Sequence, residues 1–545
     1  MTAVDVAGPG LARPAVPPAP GRAVTRLAVR QVRRGALVVG LVVAGMSALV
    51  VATYESTLSG AADVAALRAL AENPAIRTLF GEPVALDDPG GFAVWRTGTV
   101  VGVLVGVWGL LTATRVTRGE EDAGRWDLLL AGRVPLRTVV AGHLGVICAA
   151  LLVIGGLTAV AMIAAGTTVH GAVLHGAGVG LTGVFFAAAG ILAAQLFPTR
   201  GAASGAATAL LGAALLARML GDGNGALGWL RWLSPFGLTA LVRPFEADRA
   251  LPLVVLALAA AAAALAASAA AARRDLRGGW TAPSTGREPQ RALLGSVSAF
   301  ALRRSLRPLA GWSAGIGAYY LLIGVLAVSV TTFLAENAQF GALAADAGFA
   351  GLDAVEGYAA ALLTLLAVPV GVFTAVRTGA HAQDEQDRRH TLLLAGPVSR
   401  SRLLGAEVAV TASGAVVLVA TAGLALWAGS AAVGAPLTAG AALAGALNVL
   451  PVVALCLGAA VLALGLAPGA VVLVGSLPAV GGFLLQVLAD SVGAPEWVGG
   501  LSPFAHLAPV PAAAPDVAGG LVMLGVAAGL GAAGVRGYRR RDLRG

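Results

Sequence analysis

Residues 35–53 read GALVVGLVVAGMSALVVAT, nineteen positions without a charge, directly after Arg33 and Arg34. A helix crosses a bilayer with about 20 mainly apolar residues, so this run is long enough to span. Comparable runs follow at 97–114, 138–165, 176–197, 202–220 and 251–272, and again at 309–333, 358–376, 403–429, 438–465, 469–489 and 517–535. Their length and uniform apolarity do not suit the alternating strands of a membrane barrel. The run at 35–53 also lies too far from Met1, and is too long, for a cleaved leader. The prediction is an all-α integral membrane protein with twelve transmembrane helices, arranged as two parallel six-helix repeats.

Composition agrees. Apolar residues make up 57% of the 545 positions and charged residues only 12%, with 75 glycines besides. That leaves too little polar surface to coat the core of a water-soluble enzyme, and the apolar content excludes general disorder. The net charge of +9 does not mark a nucleic-acid binder, because the arginines stand in short clusters between long apolar runs. Cys148 and Cys456 both fall within predicted spans and read as small buried groups rather than a disulfide.

The arginines set the orientation. With the N-terminus on the cytoplasmic side, 30 of the 37 basic residues fall on inner segments and seven outside, as the positive-inside tendency demands. The chain then divides into a tail and basic segment (1–34), a first six-helix half (35–272), an Arg-rich inner linker (273–308), a second half (309–535) and a basic inner tail (536–545). Both termini are placed in the cytoplasm. Residues 1–23, rich in Pro, Gly and Ala, read as a flexible tail.

The two halves resemble each other at fixed places. Between the second and third spans stands Glu120-Glu121-Asp122-Ala-Gly-Arg125-Trp-Asp-Leu128-Leu129-Leu130-Ala-Gly, and between the eighth and ninth Asp384-Glu385-Gln-Asp-Arg-Arg389-His-Thr-Leu392-Leu393-Leu394-Ala-Gly, at an offset of 264. Trp229 to Leu233 followed by Ser234-Pro235-Phe236 recurs as Trp497 to Leu501 followed by Ser502-Pro503-Phe504, at an offset of 268. Acids early and a base later in a short helix suit its dipole. The Leu triplets place an apolar knob on an inner loop, to be covered either by a partner or by the chain's own helix ends.

On these loops the chain resembles the twelve-span permeases of ABC-2-type exporters, most closely the actinobacterial polyketide-antibiotic (tetronasin-like) and multidrug group. The likeness covers both halves: the Arg-rich segment before the first span, Asn73-Pro74…Gly81, the acidic LLLAG loop, and Trp…Leu-Ser-Pro-Phe before the last span. The second half lacks the Pro after Glu336-Asn337 and has Gln386 and Thr391 at acidic positions. The resemblance implies a permease of the bacterial cell membrane that exports lipophilic compounds such as antibiotics and drugs. ATP and Mg would be held by a separate nucleotide-binding ATPase, in two copies. It further implies that residues 119–132 and 383–396 are the coupling elements, that 26–34 and 303–307 are interfacial connecting helices, and that the Trp…Phe segments close the exit.

The residues themselves agree that any ATP chemistry lies elsewhere. A phosphate-binding P-loop needs a Lys, and none of the 37 basic residues is one. No catalytic triad or metal-ligand set is recognisable, and His170 and His175 read as a solvated pair near an outer turn. His143 and Glu407 read as interfacial, and Arg218 as reaching for the headgroups. Span centres hold few ionisable groups, and aromatics such as Trp108, Phe185, Phe186 and Phe373 are candidates for a lipophilic cargo path between the halves. The alternative is an ion-gradient-driven twelve-span secondary transporter. It is disfavoured by those dry interiors and by the missing Asp-Arg-x-Gly-Arg-Arg signature in the second-to-third loop.

Overall fold

The computed structural model describes residues 20–54, 77–78, 80–132, 134–274, 292–336, 351–352, 354–491 and 495–541. Most of the expected tail at 1–23, the Asn73-Pro74 motif, Asn337 and the linker residues 275–291 lie outside the described residues. Among the described residues there is no strand, and twelve helices are long and apolar enough to cross a membrane. They are α1 (Gly21–Ala52), α2 (Pro89–Asp122), α3 (Leu136–Ala164), α4 (Val169–Leu196), α5 (Arg200–Gly223), α6 (Leu251–Ala272), α7 (Val297–Glu336), α8 (Val355–Gln386), α9 (Arg400–Ala432), α10 (Ala439–Leu466), α11 (Pro468–Gln486) and α12 (Val517–Arg540). Every apolar run of the sequence is one of these helices. In lipid the backbone must satisfy its own hydrogen bonds, and a helix does so within one segment.

Several helices extend past their apolar runs. α1 starts at Gly21 because nothing in Arg22–Arg34 breaks a helix, so this basic segment forms the first turns of the span rather than a separate connecting helix. Its face divides cleanly: Val24, Ala28 and Val32 are buried at a spacing of four, while Arg22, Arg26 and Arg30 are exposed. Arg303 and Arg307 likewise lie inside α7.

The chain forms two compact units, residues 1–68 with 80–284 and residues 69–79 with 285–545. In the first, α3 packs on α1 and α4, and α4 also packs on α2 and α6. In the second, α9 packs on α7, while α10 packs on α8 and α12. First on third, second on fourth and fourth on sixth are thus neighbours in each unit. Small residues permit the closest approaches. A Cβ on Gly155 would strike the Gly176 carbonyl, and one on Gly324 the Leu426 carbonyl. Large apolar side chains such as Leu258, Leu265, Leu521 and Val522 point outward, as a helix bathed in hydrocarbon allows.

The two Ser-Pro-Phe segments are built alike. Ser234, fully buried, donates its hydroxyl to the Ala214 carbonyl at 2.6 Å and accepts from the Gly237 N–H. Ser502, also fully buried, donates to the Gly482 carbonyl at 2.9 Å and accepts from the Phe504 N–H. Each serine caps its own short helix and reaches back twenty residues to the preceding span. Phe236 and Phe504 follow into the core, against Phe186 at 5.4 Å and Phe483 at 5.7 Å. Removing either hydroxyl deletes a bond to a helix carbonyl and leaves the capped N–H without its acceptor. Ser234→Ala and Ser502→Ala are each expected to cost about 1–3 kcal/mol, read as a lowered unfolding midpoint of the detergent-solubilised protein, with an unchanged midpoint as the contrary result.

Candidate functional site

The first acidic loop begins inside α2, whose last turns include a π-helical stretch, Arg115–Gly119. Within it Arg118 is buried and reaches Glu121 at 3.2 Å, Asp122 at 3.3 Å and the Pro198 carbonyl at 2.6 Å. Glu121 is buried as well and is gripped through both oxygens by Arg274, just past α6, at 2.6 and 2.7 Å. The same guanidinium also donates to Gln195 near the end of α4. Asp122 accepts from the backbone N–H of Arg200, the first residue of α5. Glu120 pairs with Arg125, five residues on, at 2.6 Å. One acidic run thus ties the ends of α2, α4, α5 and α6 together.

A short helix, Arg125–Leu130, follows. Gly124 before it has φ 72°, a left-handed conformation that suits glycine. Trp126 anchors the helix in the core beside His143 of α3, with ring centres 6.0 Å apart. Leu129 and Leu130 pack on the same apolar cluster, whereas Leu128 is 84% exposed. The two coverings that the sequence left open therefore divide the triplet: the chain's own helix ends half-cover two leucines, and the third stands bare.

The second unit repeats the plan with altered side chains. Asp384 pairs with Arg389, again five residues on, at 3.2 Å. Glu385 is held through both oxygens by Arg541, just past α12, at 2.6 Å. Arg304 of α7 bonds both Asp384 and Glu407, and Arg377 lies 3.7 Å from Glu407. Arg388 holds the left-handed position of Gly124, with φ 57°. Leu392, Leu393 and Leu394 form the short helix Thr391–Leu394, in which Leu393 and Leu394 are half-buried. His390 stands where the first loop has Trp126, buried 4.6 Å from the ring of His381.

The sequence reading set Glu120 with Arg125 and Asp384 with Arg389 in equivalent loops as acids early and a base later, and the structure joins each couple as an ion pair. Arg274 and Arg541 were not singled out, although both stand where the last helix of their half ends, which is the only local signal they carry. Other placements correct the sequence reading. His143 and Glu407 are buried, not interfacial, because neighbouring helices close over them. Arg218 is buried too, 2.5 Å from Asp222 and 2.6 Å from the Phe80 carbonyl, rather than reaching for headgroups. His170 and His175 lie inside α4, one exposed and one buried. Among the path candidates, Phe185 and Phe186 cluster with Phe236. Phe373 packs on Trp312, and Trp108 lies close to Gly35 of α1. Phe186 and Phe373 are almost fully buried.

Comparison with known proteins places this architecture. A family model described as "Multidrug efflux system permease Rv1217c, C-terminal domain" matches residues 22–273 and 294–539. The multidrug efflux system permease protein Rv1217c of Mycobacterium tuberculosis (strain ATCC 25618 / H37Rv) is 29% identical over 497 residues, spanning 89% of this chain and 87% of that protein.

Burial ranks the ion pairs. Breaking the buried Glu121–Arg274 pair with Glu121→Gln is expected to cost about 3–5 kcal/mol. Glu120→Gln, whose partner Arg125 is well exposed, should cost less than about 1 kcal/mol. Unfolding titrations in detergent compare the two, and equal losses would refute this ranking. His390 supplies a pH dependence. Burial pushes its pKa below the ordinary 6.5, with Asp384 opposing and Arg304 adding to the shift. Below about pH 6.5 the unfolded chain therefore binds the proton first, and stability is lost as the pH falls from there toward the depressed folded value. The unfolding midpoint, followed from about pH 8 to 5, should drop less steeply in His390→Phe than in the parent.

Proposed function

The chain belongs to the family of multidrug efflux system permeases that matches it, and from that premise we propose that it is the membrane subunit of an ATP-driven exporter of lipophilic compounds. The ATP and Mg would sit on a separate nucleotide-binding protein, in two copies, one against each acidic loop. The observation that carries the reading is the common construction of those loops. In each, a carboxylate is clamped by an arginine from the end of its unit's last helix, and a leucine-bearing helix follows directly. A partner seated on Leu128 would press on a lever already bonded to the neighbouring spans. Through Glu121 and Arg274 the push would reach α6, and through Asp122 it would reach the first turn of α5. Residues 119–132 and 383–396 are then the coupling elements, with Glu120, Glu121, Asp122, Arg125 and Leu128–Leu130 in one and Asp384, Glu385, Arg389 and Leu392–Leu394 in the other.

The chain's own chemistry supports an external engine. Without a lysine it has no residue to reach the outer phosphates of a nucleotide in a P-loop. The loops would face the cytoplasm, where the nucleotide is, which agrees with the weight of arginine on that side.

The test uses the outward leucine and its equivalent. Leu128→Asp combined with Leu392→Asp should abolish co-purification of the ATPase and reduce dye efflux to the level of cells lacking the permease. Because Leu128 is exposed, its change should leave the unfolding midpoint nearly unmoved. Retained capture of the ATPase would overturn the coupling role. Efflux in cells with clamped ATP should persist after a proton ionophore is added, and prompt collapse would assign the protein to the ion-driven class.

A further inference from the structure

At the end of the first unit opposite its acidic loop, α2, α4, α5, the loop before α2 and the segment after Ser234 line a partly open cavity of about 60 Å³. Trp95, Phe80 and Phe236 give it aromatic walls, and His175 and Thr182, seven residues apart on α4, line it. His175 is 8% exposed and Thr182 is fully buried. Neither spends its polar atoms on the protein. The Thr182 hydroxyl has no hydrogen-bond partner among the described residues. Thr97 of α2 and Thr158 of α3, also buried, differ: each donates to the carbonyl four residues back, at 2.7 Å and 2.9 Å. The imidazole of His175 makes no hydrogen bond to any described residue either.

The charges around the cavity are, by contrast, all engaged. Arg218 is held by Asp222 and by the Phe80 carbonyl. Glu82 is held by Arg231 at 2.8 Å and Arg243 at 3.2 Å. The Trp95 indole N–H is taken by the Gly81 carbonyl at 3.1 Å. Gly81 itself sits at φ 102°, where a Cβ would run into the Arg218 guanidinium, so the loop closing the cavity is fixed by glycine. What remains on offer is one hydroxyl and one imidazole, set in an apolar, aromatic surround. A buried polar atom left without a partner is costly, and an incoming hydrogen-bonding group would relieve that cost.

We propose that this cavity is a cargo-binding subsite that takes the small, uncharged hydrogen-bonding end of a lipophilic molecule, such as a phenol or alcohol hydroxyl, between His175 and Thr182. The proposal rests on the exporter reading and supplies the part of the cargo that is recognised. The volume admits a group of a few heavy atoms, so the apolar remainder of the molecule stays outside it. The second unit has no counterpart, because α10 contains neither His nor Thr. Recognition of the polar end therefore belongs to one half.

The experiment measures binding on the whole chain in lipid nanodiscs without any ATPase, so it stands apart from the question of what powers transport. The probe is 6-bromo-2-naphthol, whose bromine quenches tryptophan, beside 2-bromonaphthalene, which lacks the hydroxyl. Wild-type protein should show saturable quenching by the naphthol, and Trp95→Phe should remove that saturable component. The naphthol should bind about tenfold more tightly than bromonaphthalene. In Thr182→Val combined with His175→Leu that preference should disappear while bromonaphthalene affinity is retained. Thr182→Val alone, which deletes only the orphan hydroxyl, should lose part of the preference with no fall in unfolding midpoint, keeping the result separate from misfolding. No saturable quenching in the wild type, or a naphthol preference that survives in the double variant, would overturn the proposal. Dye efflux from cells carrying the ATPase tests the exporter reading separately.

Discussion

A carboxylate withdrawn from water has to be met by a cation, and that requirement organises the loop end of both units. Glu121 is closed off from solvent and held through both oxygens by Arg274. Glu385 is held through both oxygens by a single guanidinium nitrogen of Arg541. Where two nitrogens face two oxygens, as at Glu121, the planar guanidinium fixes direction as well as distance. The acidic loop and the end of the last helix in its unit are therefore locked in one geometry. Asp122 on the first residue of α5, and Arg304 between Asp384 and Glu407, extend the same logic to further helices.

The units keep this frame while their side chains differ. Trp126 beside His143 in the first corresponds in sequence to His390 and Glu407 in the second, where the aromatic anchor gives way to a pair of imidazoles and a charged network. Gly124 and Arg388 share a left-handed turn, although only glycine enters it without steric cost. The backbone path is the more conservative quantity, because a helix end displaced by one residue would disturb every contact beyond it. Side chains within that path can change one at a time. The cavity that His175 and Thr182 line has no counterpart in α10, an asymmetry of the same kind in the spans themselves.

Misreadings of the sequence follow a single pattern. Arg218, His143, Glu407 and His175 were placed at interfaces or in solvated turns because each stands near the end of an apolar run, where water is the default neighbour. Neighbours within the fold replace water instead: Asp222, one turn along the same helix, and the Phe80 carbonyl for Arg218, Gln31 of α1 for His143, and Arg304 of α7 for Glu407, while His175 is closed over without a hydrogen bond. Hydropathy records what a residue is and carries no information on what lies across from it. The basic segments that open α1 and α7 were separated from their spans for a related reason. Apolarity stops at Gly35, but helix formation depends on backbone bonds that continue through arginine without interruption.

Twelve membrane-length helices, the two acidic loops and the want of a phosphate-binding lysine are all local properties, carried by composition and short spacing, and the chain alone determined them. Which arginine clamps Glu121, which of three adjacent leucines stays bare, and where an unpartnered hydroxyl and imidazole share a cavity were decided only by the packed helices. Glu121 and Arg274 are 153 residues apart in sequence. Such partners are chosen by helix ends meeting in space, and no period or window along the chain encodes that meeting.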